Sequence, residues 1–104
     1  MIVRIVRMHF MPEAVDDFLD IYGRTEAAIR NMAGCTYLEL MRDAENPNVL
    51  ITVSHWESVT ALNNYRKSEL FKSVWRRVKT LFAQPAEAFS MERHPGVTMV
   101  AEAV

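Results

Sequence analysis

Three histidines, one cysteine and a set of large aromatics are the side chains here whose chemistry goes beyond packing. His55 stands beside Trp56 at the end of a β-type run, and His9 lies near the end of another. An imidazole ionises near neutrality, so either is a candidate catalytic base that takes a proton from an acidic hydroxyl such as a phenol. The competing reading is a histidine satisfied at an interface or facing solvent, the commoner state of histidines in folded proteins. His94 sits beside Pro95 in a loop, and three scattered histidines lack the spacing of a zinc site, so no metal is expected. Cys35 has no helix N-terminus or basic neighbour to stabilise a thiolate and reads as a structural thiol.

Tyr65, Phe71 and Trp75 fall at relative positions 0, +6 and +10. On a helix layer above a sheet, Tyr65 and Trp75 make candidate walls for a planar aromatic ligand, with the Tyr hydroxyl fixing its orientation. Trp56 and Asn64 join them as candidate binding residues, Asn64 (like its neighbour Asn63) as a partner for a ligand carbonyl. The plain alternative is a core stripe, which is the better account of Phe71.

The elements that must position these groups follow from periodicity. Residues 2–10 alternate, with Ile2, Arg4, Val6, Met8 and Phe10 on one face and Val3, Ile5, Arg7 and His9 on the other. Because Arg4 and Arg7 fall on opposite faces, at least one meets a covered layer and needs an anionic partner: Glu39, a neighbouring strand residue or a ligand's anionic group. Pro12 suits the first turn of a helix that starts near Glu13, carries a stripe from Val15 to Met32 and stops at Gly34. Strands are predicted over 35–43 and 49–56, joined by the turn formers at 44–48. A broken helix, 58–66 and then 68–83, follows, with Ser58 and Ser68 as candidate caps, and 86–93 forms a last strand. The order β-α-β-β-α-β predicts an α+β, ferredoxin-like (split βαβ) domain with an antiparallel sheet over residues 1–93. Residues 94–104 make an apolar C-terminal tail that docks on the partner subunit or elsewhere.

Both faces of the predicted sheet are apolar, although helices cover only one in this plan. A bare apolar face predicts a homodimer formed sheet to sheet. The chain is 104 residues long with a formal net charge of −1, which gives no global field toward nucleic acid. The basic residues between Arg66 and Lys79 read as a solvated helix face, so no nucleic acid is expected as a partner. No run is long enough to span a membrane, no signal-peptide core opens the chain, and a single cysteine suits a reducing compartment. A cytoplasmic protein without membrane partners is expected.

Taken together, Met11-Pro12-Glu13, Gly34-Cys35 and above all Trp56-Glu57-Ser58 with Ala61-Leu62, Tyr65, Ser68 and Phe71 resemble the antibiotic biosynthesis monooxygenase-like (ABM) family of the dimeric α+β-barrel superfamily. The resemblance implies a cofactor-independent monooxygenase of an aromatic or quinol-type small molecule, with His55 or His9 as base. The alternative is a non-catalytic small-molecule-binding or structural dimer of the same fold. Many members carry histidines near positions 65 and 70, where this chain has Tyr65 and Leu70. The haem-degrading branch places its iron-ligating His near Trp75. An indole N–H only donates and cannot ligate iron, so haem degradation is disfavoured and no cofactor is expected.

Overall fold

A computed structural model describes residues 1–95; the candidate docking tail lies almost wholly outside them. The four strands are β1 (Ile2–His9), β2 (Cys35–Arg42), β3 (Val49–Trp56) and β4 (Glu87–Met91), and the helices are α1 (Val15–Arg30), α2 (Val59–Arg66) and α3 (Glu69–Val78). The sheet is antiparallel throughout in the order β2-β3-β1-β4, the ferredoxin-like α+β arrangement expected from the sequence. No helix among the described residues is long and apolar enough to cross a membrane.

The strand register sorts every candidate residue onto a face. Arg4 pairs across to Ser54 and Ser90, Val6 to Thr52 and Ala88, and Met8 to Leu50, all on the helix-covered side. The bare side carries the rows Tyr37–His55–Val3–Met91, Glu39–Val53–Ile5–Phe89 and Met41–Ile51–Arg7–Glu87. An irregularity between Cys35 and Tyr37 sets Cys35 across from Trp56 and Tyr37 across from His55, which turns these two β2 residues to opposite faces. Between the layers, Met8, Phe10, Phe18, Leu50 and Val78 form the buried core.

Local chemistry sets the boundaries. Pro12 opens a single 3₁₀ turn, Pro12–Ala14, ahead of α1. Both predicted caps are made: Ser58 Oγ accepts from Ala61 N at 3.0 Å, and Ser68 Oγ from Phe71 N at 3.1 Å. The long helix ends earlier than periodicity predicts, at Val78, and continues as a 3₁₀ turn over Lys79–Leu81. The end of β1 captures this backbone: Met11 N donates to Leu81 O, and Ala83 N to His9 O. The last strand is likewise shorter than 86–93, because β4 is an edge strand with ladder partners only at Val3–Arg7 of β1.

Gly34 adopts the left-handed backbone, φ 84°, that ends the α1 connection, and its carbonyl accepts from Glu57 N at 2.8 Å. A Cβ there would run into the Ala61 side chain. Gly34→Ala is expected to cost about 1–3 kcal/mol from the backbone alone, and more from the clash. Gly23 lies within α1 with open space around the position of a Cβ, so Gly23→Ala is expected to stabilise by about 0.5–1 kcal/mol. Urea midpoints of the two variants, shifted in opposite directions, check the pair.

Candidate active site

A cavity of about 340 Å³ lies between the helices and the sheet. β1 contributes Arg4, Val6 and Met8 to its wall, β3 contributes Thr52, Ser54 and Trp56, and α3 contributes Phe71, Val74, Trp75 and Val78. Tyr22 of α1 and Tyr65 and Arg66 of α2 complete the parts with chemistry.

The aromatic side chains run as an unbroken series of ring contacts. Trp56 stacks on Tyr65 with centroids 4.8 Å apart, Tyr65 meets Phe71 edge-on at 5.2 Å, and Phe71 stacks on Trp75 at 5.9 Å. Trp75 meets Phe82 at 5.5 Å, Phe82 meets Phe10 at 5.4 Å, and Phe10 stacks on Phe18 at 4.4 Å. Phe18 leads to Tyr22 at 6.1 Å. Tyr22, at one end of the series, and Tyr65, next to the other end at Trp56, are close enough for one phenol's charge to raise the other's pKa, so the rings turn back on themselves around the space.

The break between α2 and α3 holds this wall in place. Ser68 Oγ donates to Tyr65 O at 2.6 Å while accepting from Phe71 N, which ties Tyr65 to the start of the helix that carries Phe71 and Trp75. Trp56 is wholly buried, and its Nε1–H donates to Ser54 Oγ at 2.9 Å. It is a fixed wall with no free donor. Tyr22 Oη is buried and meets no protein partner among the described residues. An orphaned hydroxyl on a cavity wall costs about 1–3 kcal/mol unless a bound molecule engages it.

Electrostatics keep both phenols neutral. Burial pushes Tyr65 up to about 12, with the charges of Cys35 and Tyr22 adding to the effect. Tyr22 is raised by burial first and then by Glu26. Each is therefore a hydrogen-bond donor at any physiological pH. Burial also raises the Cys35 thiol, whose Sγ–H donates to Tyr37 O at 3.6 Å. It is protonated and inert, as its sequence context suggests.

Of the residues singled out from the sequence, Tyr65, Trp75 and Trp56 come together on the cavity wall. His55 and His9 do not. Strand alternation sends both to the bare sheet face, where the His55 ring packs on Tyr37 at 4.7 Å. Neither imidazole lines the cavity, so a base at either position does not reach a ligand held there. Asn64 is exposed on α2 and does not line the cavity. His94 lies beyond β4, where its Nδ1 pairs with Pro95 O at 2.8 Å. Among the described residues no three His, Cys, Asp or Glu side chains cluster as metal ligands.

Sequence reasoning missed Tyr22 and Arg66. Tyr22 follows Phe18 by one turn on the α1 stripe, a signal that was available. Arg66 sat inside a run of basic residues read as a solvated face. Its place beside Tyr65 at the helix break marks it out only once the fold is known.

The family model for antibiotic biosynthesis monooxygenases matches residues 1–77. A crystal structure of an antibiotic biosynthesis monooxygenase superposes with a TM-score of 0.85 at 22% identity, over 91% of this chain and 100% of that one. A conserved protein from Methanosarcina mazei Go1 gives 0.85 at 19% identity, covering 90% of this chain and 94% of its own. Rv0793 from Mycobacterium tuberculosis gives 0.84 at 18% identity, covering 93% and 98%. At these identities the likeness shows the fold. No curated protein matches the sequence.

The raised pKa of Tyr65 has a measurable consequence for stability. The folded state holds this proton to about pH 12, whereas an unfolded tyrosine releases it near 10. The contribution is therefore fully present below pH 10 and is lost as pH rises from there through 12. Denaturant midpoints measured from pH 9 to 12 should fall in wild type and fall less steeply in Tyr65→Phe. Equal slopes would contradict the burial of this phenol.

Proposed function

The chain belongs to the antibiotic biosynthesis monooxygenase family, and from the cavity it carries we propose that it binds a planar, electron-rich aromatic or quinol and transfers one oxygen atom to it without a cofactor. The ring-lined cavity, with two neutral phenol donors, supports the reading best. Trp75, Phe71 and Tyr65 offer stacking surfaces, while Tyr65 and the orphaned Tyr22 hydroxyl orient a ligand oxygen.

The chemistry then belongs largely to the substrate. Loss of a proton from a carbon next to a phenol or carbonyl leaves an anion whose charge rests on oxygen. Hydrogen bonds from Tyr65 and Tyr22 stabilise that charge in a site of low dielectric. The anion passes one electron to dioxygen, and the two radicals combine into a hydroperoxide. Loss of water then turns a CH₂ carbon into a carbonyl. One oxygen atom ends in the product and the other in water, with all four electrons supplied by the substrate.

Among the described residues no carboxylate or imidazole stands on the cavity wall. The proton leaves to solvent through the mouth, and the protein acts by stabilising the anion. The same observation favours a second reading, a binding protein for such molecules that performs no oxygenation. Anaerobic binding of a panel of quinols and polycyclic phenols, followed by admission of labelled dioxygen, separates the two. Uptake with one labelled atom in the product supports oxygenation. Tyr65→Phe should then lower kcat by about a hundredfold, and His55→Ala should leave it near wild type. Binding without uptake makes the protein a carrier.

We also infer a homodimer in which the bare sheet face meets its copy. Phe89, Met91, Met41 and Tyr37 are each more than 40% exposed there, around Ile5 and Val53 at the centre. The Arg7–Glu87 ion pair, 3.3 Å long, lies on the same face. An apolar surface of this kind is rarely left to water. Wild type should sediment at twice the chain mass. Phe89→Asp, on the exposed edge strand, should sediment as a folded monomer by circular dichroism. A monomeric wild type at micromolar concentration would refute the interface.

A further inference from the structure

The cavity is chemically lopsided. Its inner end is the apolar cluster of Met8, Phe18 and Val78, whereas Arg4 and Arg66 add two guanidinium side chains to its lining beside Tyr65. Arg4 stands on β1 across from Ser54 and Ser90, and its Nη1 donates to Ser90 Oγ at 2.9 Å. No carboxylate among the described residues pairs with it. The ion pairs there are Arg7–Glu87, Arg24–Asp20 and Arg30–Glu26. Arg7, the other arginine of β1, has its acid on the bare face; Arg4, on the cavity side, has only a hydroxyl.

The charge acting on Arg4 is a like one. Burial first, and then the neighbouring Arg66 cation, lower its pKa from the ordinary arginine value. Arg4, half-buried beside the exposed Arg66 cation and without an acid among the described residues, carries an unfavourable interaction that an anion held by both would relieve. We propose that the cavity binds a planar aromatic carboxylate, with its rings against Tyr65, Phe71 and Trp75 and its carboxylate held by Arg4 and Arg66. This rests on the cavity being a binding site and is independent of whether oxygenation follows.

The chemistry of the site narrows the ligand further. A carboxylate offers two coplanar oxygens to the guanidinium fork. A doubly charged phosphate forfeits more hydration beside an apolar chamber. A volume of 340 Å³ is near the small end of ligand cavities, which span about 300–1,000 Å³. The aromatic body is therefore of two or three fused rings.

Calorimetric titration of the full chain with 2-naphthoate, its neutral isostere 2-naphthamide and 2-naphthyl phosphate tests the assignment. The naphthoate should bind about tenfold or more tightly than the amide. Arg4→Gln and Arg66→Gln should each shrink that preference, the double variant should abolish it, and Arg4→Lys should keep part of it. Circular dichroism establishes that the variants are folded. Equal binding of naphthoate and amide would overturn the carboxylate inference while leaving the cavity reading intact. Absence of binding by all three would overturn both. A folded double variant that keeps the preference would remove the arginines from the site, and tighter binding of the phosphate would replace the carboxylate.

Discussion

The helix layer depends on one side chain at one break. Ser68 stops α2 and starts α3 in a single gesture, its hydroxyl donating back to Tyr65 O and accepting from Phe71 N. A cap of this kind is worth about 1 kcal/mol, but its geometric effect is larger than its energy. An uninterrupted helix would set Tyr65 and Trp75 on one rod, about 80° apart around its axis. The break instead folds Tyr65 back on Trp56 while Trp75 reaches Phe82, so the rings enclose a space rather than line a ridge.

That space runs against the general tendency of interiors to pack without voids larger than a water molecule. A domain of 104 residues has little burial to spare, and the Met8, Phe10, Phe18, Leu50 and Val78 cluster packs at one side of the opening. A chain selected only for stability would let Val74 or Leu62 grow into the opening. The polar atoms on the wall argue the same way. Among the described residues Tyr22 Oη has no protein partner and Arg4 no acid, at positions where phenylalanine or leucine would carry neither cost.

Much of the architecture was legible because its signals are local. Pro12, Gly34, Ser58 and Ser68 each fix a boundary through their own backbone or hydroxyl chemistry, and the alternation of β1 and β3 needed no tertiary information. The ends of α3 and β4 were less legible, because the partner that stops them is the distant β1. The face that His55 and His9 take was not legible for a different reason. Alternation correctly separates His55 from Trp56, and His9 from Met8, but hydrophobicity normally says which face meets the helices. Here Val53 and Ile5 are as apolar as Leu50 and Val6, so the pattern carries no sign. The inward placement of Tyr65 and Trp75 was legible because their stripe is defined within the helices themselves.

The same two-sidedness divides the labour of the sheet. Residues 54–56 show it in the smallest compass: Ser54 and Trp56 hold the cavity wall through one hydrogen bond, while His55 between them turns to the opposite face against Tyr37. A ligand and a second copy of the chain would therefore meet the same strand without sharing a side chain. Rigidity of β3 is what both surfaces require, and its position inside the sheet, paired on one edge to β2 and on the other to β1, supplies it. Among the described residues edge strand β4 has one neighbour only, yet it presents Ser90 to Arg4 on one side and Phe89 to the bare face on the other. Covering Phe89 would hold β4 against β1 and with it the hydroxyl that steadies Arg4. Association on one face would thus steady the arginine on the cavity side of the other, through the backbone of a strand that is paired along a single edge among the described residues.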